Sequence, residues 1–249
     1  MQHMGEALQE LAKKYAAASV TAFEETDRGY KVTTEDKGVF YFVDDFANVA
    51  ENEIPLYAWR AARRFFEMAN VLRIGGVEVP LAMRVKSLQQ DSICKDLLAV
   101  LLREMDVCER VLLGDKVVRI FSTPDLKHAY MNALCATEKG IKISMEIGKA
   151  PTATGSVELH EVVCRTGIIT DTACDTQVRQ YPIYVYGEEQ QETFVDTDYE
   201  LYDMPEEKRD VVRYMLSVLA SEDGGASICA DHARQMKLAA KALEGGLCK

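Results

Sequence analysis

The middle of the chain contains the stretch Lys139-Gly-Ile-Lys-Ile-Ser-Met-Glu-Ile-Gly148. Its apolar residues fall at every second position: Ile141, Ile143, Met145 and Ile147. A period of two places alternate side chains on one face of a β-strand, so this stretch predicts a half-buried strand. Strand-like patterns continue from there to Val195, and residues 19–43 predict three further antiparallel strands separated by turn residues.

Elsewhere the apolar residues recur with helical spacing. The predicted helices are 5–17, 55–72, 91–104, 123–136, 205–219 and 226–243. Helices and strands do not alternate as βαβ units, so we predict an α+β fold with a mainly antiparallel sheet and about five helices, two of them closing the C-terminus. We expect residues 1–249 to form a single compact unit, which could be subdivided near the polar residues 148–156.

Composition excludes several broad classes of protein. The 249 residues carry 29 basic and 40 acidic side chains, a net charge of −11, which argues against nucleic acid as a partner without excluding a local basic patch. Apolar runs such as Leu97–Leu102 are far shorter than the roughly 20 residues that cross a bilayer. The seven cysteines are odd in number and irregularly spaced. We therefore expect a soluble, cytoplasmic protein with reduced thiols and no membrane partner.

Several catalytic and nucleotide-binding motifs are absent from the sequence. It contains no G-x-x-x-x-G-K-[ST], G-x-G-x-x-G, G-x-S-x-G, H-E-x-x-H or C-x-x-C. The absence removes the forms of nucleotide binding, serine hydrolysis, zinc proteolysis and thioredoxin chemistry that a sequence alone can reveal.

Arg60, Arg63 and Arg64 form the densest positive spot of the chain. At positions i, i+3 and i+4 of the predicted helix 55–72 they would share one side. Guanidinium groups bind phosphate and carboxylate bidentately, so these three arginines are candidate binding residues for an anion or an acidic partner. The alternative is a solvated helix face whose arginines pair with acidic neighbours.

Residues 188–207 hold nine carboxylates and no lysine or arginine. Within this segment Asp196, Asp198 and Glu200 recur at every second position, so on a strand they would project from one face. Such a face suits Mg²⁺ or Mn²⁺, and we name these three residues as candidate metal ligands. The alternative is an edge strand protected from aggregation by its charge, followed by a helix start rich in glutamate.

A third candidate site surrounds His160. Glu158, His160 and Cys164 fall on one face of a predicted strand, and Cys174 follows soon after. Imidazole and thiolate groups are zinc ligands, and a cysteine with a histidine is also a nucleophile with its base. The alternative is that these cysteines are buried and pack as small apolar residues.

Residues 30–49 carry the first of two family resemblances. They read Tyr-Lys-Val-Thr-Thr-Glu-Asp-Lys-Gly-Val-Phe-Tyr-Phe-Val-Asp-Asp-Phe-Ala-Asn-Val. This segment resembles part of the first domain of ring-shaped DNA sliding clamps, where a glycine-containing turn precedes a strand and an Asp-x-Ala-Asn-Val-like run. The resemblance covers about a tenth of the chain. It departs from the clamp pattern after residue 55, where a helix is predicted in place of strands.

The second half of the chain carries the other resemblance. A long strand from His160-Glu161 to Gly167, followed by further strands and two helices, is similar to the sheet domain of glucose–fructose oxidoreductase-like dehydrogenases. Such enzymes carry a nucleotide-binding domain first, and its glycine fingerprint is missing from this sequence. Neither resemblance assigns a role to a particular residue.

No catalytic motif outweighs its structural alternative, so the sequence predicts a non-catalytic binding or assembly protein. It would self-associate or join an intracellular complex through the basic patch 60–64 and the acidic patch 188–207. One alternative is a divalent-metal-dependent enzyme acting on a phosphorylated substrate, with Mg²⁺ or Mn²⁺ on the acidic residues and the phosphate on Arg63 and Arg64. A second alternative is a clamp-like nucleic-acid accessory protein.

Overall fold

The structure is a computed structural model that describes residues 4–90, 96–150, 155–172, 183–187, 191–194 and 204–248. The chain divides into two compact units. The first comprises Met1–Ala62 with Thr197–Arg234, and the second comprises Arg63–Asp196 with Gln235–Lys249. Residues 148–156 belong to the second unit. Within the described ranges, no helix combines the length and the apolar composition that a membrane crossing requires.

The first unit combines a small sheet with helices. Its helical elements are α1 (Met4–Lys14), α4 (Glu206–Ala220) and the first part of α5 (Ala226–Glu244). Its strands are β1 (Val20–Thr26), β2 (Gly29–Thr34), β3 (Gly38–Val43) and β4 (Glu53–Pro55), hydrogen-bonded in that order. The first three are antiparallel, as the sequence predicts for residues 19–43, and β4 is parallel to β3.

Aromatic side chains fill the core of the first unit. Trp59 stacks on Tyr57 at 4.5 Å between ring centroids, and Phe46 packs edge-on against both rings. The Tyr57 hydroxyl lies 2.8 Å from Nδ1 of His232. Burial lowers the pKa of His232, which favours the neutral imidazole. Its Nδ1 and the Tyr57 hydroxyl thus give each other a hydrogen-bond partner in the buried core.

The second unit is built on a larger sheet of nine strands. They are β5 (Pro80–Gln89), β6 (Val117–Asp125), β7 (Tyr130–Thr137), β8 (Lys142–Lys149), β9 (Val157–Cys164), β10 (Gly167–Thr170), β11 (Ile183–Gly187), β12 (Gln191–Phe194) and β13 (Gly246–Cys248). The order is β12-β11-β10-β9-β5-β8-β7-β6-β13, and every neighbouring pair is antiparallel except β5 and β8. Ile143, Met145 and Ile147 of β8 are buried, as their alternation predicts.

Helices cover one face of this sheet. Helix α2 (Arg63–Ile74) packs against α3 (Leu97–Val111), and α3 lies on β5 and β8. The carboxylate of Asp96 caps α3 by accepting from the Ala99 amide at 2.8 Å. Almost every residue of α3 is buried, including Arg103 and Glu104. The five helices, the mainly antiparallel strands and the two closing helices confirm the predicted α+β fold.

Of the predicted helices, 55–72 is only partly correct and 123–136 is wrong. Residues 55–72 are not one helix, because Ala62 is extended (ψ 117°) and separates a short 3₁₀ helix, Ala58–Ala61, from α2. Residues 123–136 form the end of β6 and most of β7. The Thr-Pro-Asp signal that suggested a helix start is the end of β6, and the Asp125 carboxylate accepts from the His128 amide of the following turn at 3.2 Å. Turns and helix starts use the same capping chemistry.

Gly225 supplies a test of packing in the first unit. Its φ is +91°, and an added Cβ would lie 3.2 Å from Ile54 Cδ1 and 3.3 Å from Val218 Cγ1. We expect Gly225→Ala to lower the unfolding free energy of this unit by about 2–3 kcal/mol, because left-handed strain and crowding add. Gly38 is the matched control, since it has φ +85° and nothing within 4 Å. Urea unfolding measures both variants. Equal losses of unfolding free energy would contradict the expectation that crowding at position 225 adds to the strain.

Candidate functional site: a buried cluster of balanced charges

Charged side chains from four places meet on the helix-covered side of β9. We call them the charge cluster. Its members are Arg64 of α2, Arg103 and Glu104 of α3, Glu158 and His160 of β9, and Asp171, which follows β10. All belong to the second unit. They converge because Glu158 and His160, two residues apart on a strand, point to the same face, and α2 and α3 pack on that face.

His160 lies at the centre of the charge cluster and is fully buried. Its Nδ1 is 2.6 Å from Asp171 Oδ2 and its Nε2 is 2.8 Å from Glu104 Oε2. Burial alone would lower the pKa of His160, but the two carboxylates outweigh it and raise the pKa to about 9. The imidazole is therefore protonated at neutral pH, and both of its nitrogens donate.

Glu158 is the second residue on which several side chains of the charge cluster converge. Its Oε1 accepts from Arg103 Nη2 at 2.9 Å and from Gln89 Nε2 at 2.6 Å, and its Oε2 accepts from Arg64. Burial would raise the pKa of Glu158, but the guanidinium groups of Arg103 and Arg64 hold it well below its usual range. Arg103 also donates to Glu104, so the two centres share a partner. All three carboxylates of the cluster are ionised at neutral pH.

The charge cluster is electrically balanced. Three cations, Arg64, Arg103 and protonated His160, face three anions, Glu104, Glu158 and Asp171. The ring of Phe65 contacts all three cations, with the Cζ atoms of Arg64 and Arg103 at 4.5 and 5.7 Å from its centroid and the His160 ring edge-on at 4.8 Å. Cation–π contacts of this kind replace part of the lost hydration.

One edge of the cluster reaches solvent. The side chains of Arg64 and Glu158 are 16% and 14% exposed, whereas those of the other members are at most 4% exposed. Beside this edge lies Gln89, whose Nε2 donates to Ser87 and Glu158. Its buried Oε1 has no hydrogen-bond partner among the described residues. The exposed edge is therefore a salt bridge with an unused hydrogen-bond acceptor nearby.

The cluster does not have the properties of a metal site, although Glu158, His160 and Asp171 place ligand atoms within 4.8 Å of one another. A metal-binding imidazole must offer a lone pair, and protonated His160 offers none. The carboxylates are already neutralised by arginine, whose charge opposes a bound cation. The carboxylate oxygens that could bind a metal already accept hydrogen bonds from the protonated imidazole and from the guanidinium groups.

The predicted cysteine–histidine pair does not form. Glu158, His160 and Cys164 share the buried face of β9, as predicted. Four residues along a strand span about 13 Å, however, and both ring nitrogens of His160 face carboxylates. Burial raises the pKa of the Cys164 thiol to about 11, so it is not a thiolate at neutral pH. Cys174 lies outside the described residues.

The three candidate arginines do not share one side of a single helix. Extended Ala62 interrupts the predicted helix, so Arg60 belongs to the first unit and Arg63 and Arg64 to the second. Arg60 lies 3.8 Å from Asp231, Arg63 lies 3.3 Å from Glu67, and Arg64 joins the charge cluster. Among the described residues, Arg64 takes part in the charge cluster. The candidate metal ligands Asp196, Asp198 and Glu200 lie outside the described residues.

Sequence reasoning missed Arg103, Glu104 and Gln89. A signal was present, because Arg103 and Glu104 interrupt the strongly apolar segment that begins at Leu97. Charges within a helix that is apolar on several sides indicate burial with a partner. The partner could not be identified, because Glu158 is 55 residues away from Arg103 in the sequence.

Comparison with known proteins identifies solved structures that share this fold. No protein-family model matches the chain, and no curated protein matches it. Solved structures do. The chain is similar to an inositol dehydrogenase homolog from Azotobacter vinelandii complexed with NADH and myo-inositol, with a TM-score of 0.56 and 9% identity. It is also similar to an oxidoreductase from Sinorhizobium meliloti (TM-score 0.59, 10% identity) and to one from Agrobacterium radiobacter in complex with NAD⁺, L-tartaric acid and magnesium (0.57, 14%).

Each of these comparisons covers 79% of this chain and 64% of the other, so the chain spans just under two-thirds of the length of those enzymes. The likeness shows a fold shared with oxidoreductases. It contradicts the predicted non-catalytic binding or assembly protein and its emphasis on interaction and oligomerisation, because the neighbours are oxidoreductases and dehydrogenases. The same likeness gives no support to the two alternatives, a divalent-metal-dependent enzyme acting on a phosphorylated substrate and a clamp-like nucleic-acid accessory protein.

The charge cluster predicts a loss of stability at alkaline pH. The pKa of His160 is about 9 in the folded protein and about 6.5 in an unfolded chain. Its stabilisation is therefore complete below pH 6.5 and is lost as the pH rises through 9, by an amount on the order of 3 kcal/mol. Urea unfolding followed by far-UV circular dichroism measures it.

The matched control for this profile is His128, which is exposed and pairs with Asp125 in a turn. We expect His128→Gln to keep the alkaline loss and His160→Gln to flatten it. If His160→Gln still loses unfolding free energy steeply at alkaline pH, groups other than His160 cause that loss.

Removing one charge from the charge cluster is expected to lower the unfolding free energy. Arg103→Met leaves Glu104 and Glu158 with an excess of buried negative charge, so we expect a loss of about 3–5 kcal/mol in unfolding free energy. Arg63→Met changes a half-exposed arginine in the neighbouring helix and should cost less than about 1 kcal/mol. Similar losses in the two variants would show that charge balance is unimportant.

Proposed function

We propose that this chain is part of an oxidoreductase that acts on a polyhydroxylated compound or a hydroxy acid. One observation carries the proposal: over 79% of its length the chain has the fold of oxidoreductases, two of which were crystallised with myo-inositol and L-tartaric acid. A shared fold at this low identity does not transfer a function by itself. The chemistry of the charge cluster supplies the second argument.

The exposed edge of the cluster suits a ligand rich in hydroxyl groups. A hydroxyl both donates and accepts, so it can bridge Arg64 and Glu158 without altering the charge balance. A hydroxy acid would add a carboxylate, which would share the guanidinium of Arg64 with Glu158 and Asp171. These features support a small polar substrate more than an apolar one.

NAD(H), with which two of the similar structures are complexed, does not fit the residues of this chain. Dinucleotides are bound by a glycine-rich turn between a parallel strand and a helix, where the pyrophosphate meets free amide groups. The sequence lacks G-x-G-x-x-G. The glycine pair before α5 is also unsuitable, because the space beside Gly225 is filled by Ile54 and Val218. We therefore assign no step to a dinucleotide bound on the described residues.

For the compartment, we propose the cytoplasm. The support is the chemistry of the cysteines: Cys108, Cys135 and Cys164 are buried and carry free thiols, and Cys229 carries a free thiol at a partly exposed position. Free thiols persist in a reducing compartment.

Calorimetric titration with myo-inositol and L-tartrate tests the proposed substrate class. We expect at least one of them to bind with a Kd below about 1 mM, the upper part of the usual range of KM. Arg64→Lys keeps the charge but loses the planar fork, so it should weaken binding at least about tenfold.

Arg63→Lys is the matched control, one residue away and outside the cluster, and we expect it to bind like the wild type. Circular dichroism verifies that each variant is folded. Absence of binding by the folded wild-type chain, or equal weakening in the two variants, would count against the proposed site.

A further inference from the structure

Two histidines are buried in the described part of the chain, and their electrostatic surroundings are opposite. His160 lies between two carboxylates and is protonated at neutral pH. His232 of α5 is only 6% exposed, and its Nδ1 lies 2.8 Å from the hydroxyl of Tyr57, which is a neutral group. Among the described residues, no carboxylate forms an ion pair with His232. The first unit therefore buries an imidazole whose positive charge would have no counterion there.

The aromatic core of the first unit lies beside this imidazole. The Tyr57 ring stands edge-on to the His232 ring, with 5.9 Å between the ring centroids, and Trp59 and Phe46 pack on Tyr57. Tyr57 is fully buried, so its contact with His232 is shielded from water. Burial lowers the pKa of His232, because a low-dielectric environment disfavours the charged form. A proton on this ring would be a buried charge without a partner, which is far less favourable than a buried neutral group.

Charged side chains described near His232 already pair with one another. Arg60 places its Cζ 5.3 Å from the centroid of the Tyr57 ring, so the ring that contacts His232 already carries one cation. Asp231, the neighbour of His232 in α5, lies 3.8 Å from Arg60 and 3.8 Å from Arg234. Its negative charge is therefore shared by two guanidinium groups.

The described groups of β4 and the Phe46 backbone supply no counterion either. The Glu53 carboxylate of β4 accepts from Arg28 at 2.7 Å, and the Glu53 carbonyl accepts from Cys229 Sγ at 3.5 Å. Hydrogen bonding with the Phe46 backbone favours the charged imidazole, but it only partly offsets the effect of burial. His232 is therefore neutral at neutral pH, and burial is the cause.

We infer that the aromatic core of the first unit is an acid-sensitive element, in which a proton taken up by His232 loosens the contact with Tyr57 and the stack of Trp59 on that ring. Protonation turns both ring nitrogens into donors and places an uncompensated charge beside the aromatic rings. The second unit responds differently, because His160 is already protonated and paired with Glu104 and Asp171. Mild acid should therefore open the first unit and leave the charge cluster closed. The inference does not depend on the proposed function.

The expected response lies between pH 7 and pH 5. An unfolded chain takes up a proton at a histidine near pH 6.5, and the folded first unit takes it up at His232 only at lower pH. The stability of the first unit is therefore complete above about pH 6.5 and falls as the pH drops below that value. Aspartate and glutamate of an unfolded chain titrate near pH 4, so they contribute little at pH 5.

Hydrogen exchange measured by mass spectrometry tests the inference, because its peptides report each unit separately. After correction for the intrinsic exchange rate at each pH, the protection of peptides from residues 54–62 and 226–234 should fall at least about threefold from pH 7 to pH 5. Peptides from β5 and β8 should keep their protection. Unchanged protection of residues 54–62 and 226–234 would overturn the inference.

A pair of variants assigns the response to one histidine. His232→Gln keeps a side chain that donates and accepts but cannot take up a proton in this range, so it should remove most of the acid-induced loss of protection. His128→Gln is the matched control, since His128 is exposed and pairs with Asp125 in the second unit, and it should keep the full loss. A full loss that persists in folded His232→Gln would also overturn the inference.

Nuclear magnetic resonance of the wild-type imidazoles decides the question even if His232→Gln does not fold. At pH 6 the His232 ring should still be neutral, whereas a histidine of an unfolded chain is mostly protonated. A His232 ring that is protonated at pH 6 while the first unit keeps its protection from exchange would show that the core tolerates the charge, and the inference would be wrong.

Discussion

Charge neutrality in a water-poor interior is the constraint on which the second unit depends. Six ionised groups lie between β9, α2 and α3, and each ion loses several kcal/mol of hydration on burial. The cost is offset only if every charge meets its partners at short range. The apolar packing of the helices on the sheet is therefore coupled to an electrostatic arrangement. A shift of either helix would leave an unpaired charge on β9.

The fold class could be predicted because one face of each sheet is buried. Under that condition Ile143, Met145 and Ile147 must alternate with polar residues, and the alternation is visible in the sequence. Helix boundaries were harder to predict. Ala62 has no local feature that requires an extended backbone, and Asp125 caps a turn with the same chemistry that begins a helix.

The candidate site was predictable only in part. The shared face of Glu158 and His160 follows from strand geometry, so their proximity could be expected. Their partners could not, because Arg103, Glu104 and Arg64 reach them through tertiary packing. The same residue types in a looser arrangement would suggest a metal centre. The difference lies in whether an arginine or a cation neutralises the carboxylates, which depends on distant parts of the chain.

The absence of catalytic motifs was a weak basis for predicting a protein without catalysis. Motifs such as G-x-G-x-x-G mark how a backbone holds phosphate, and they carry little information about a sheet that faces a substrate. Low sequence identity is unsurprising, since a sheet covered by helices can be built from many apolar residues if their period is kept.

The position of Trp59 affects how the protein can be observed. It is the only tryptophan of the chain, and it stacks on Tyr57 in the core of the first unit. Its emission therefore reports the surroundings of that aromatic core, whereas the charge cluster contains no indole. A thermal unfolding curve followed by tryptophan fluorescence would therefore report the unfolding of the first unit and not that of the second. A tryptophan introduced near β9 would provide a separate optical signal for the second unit.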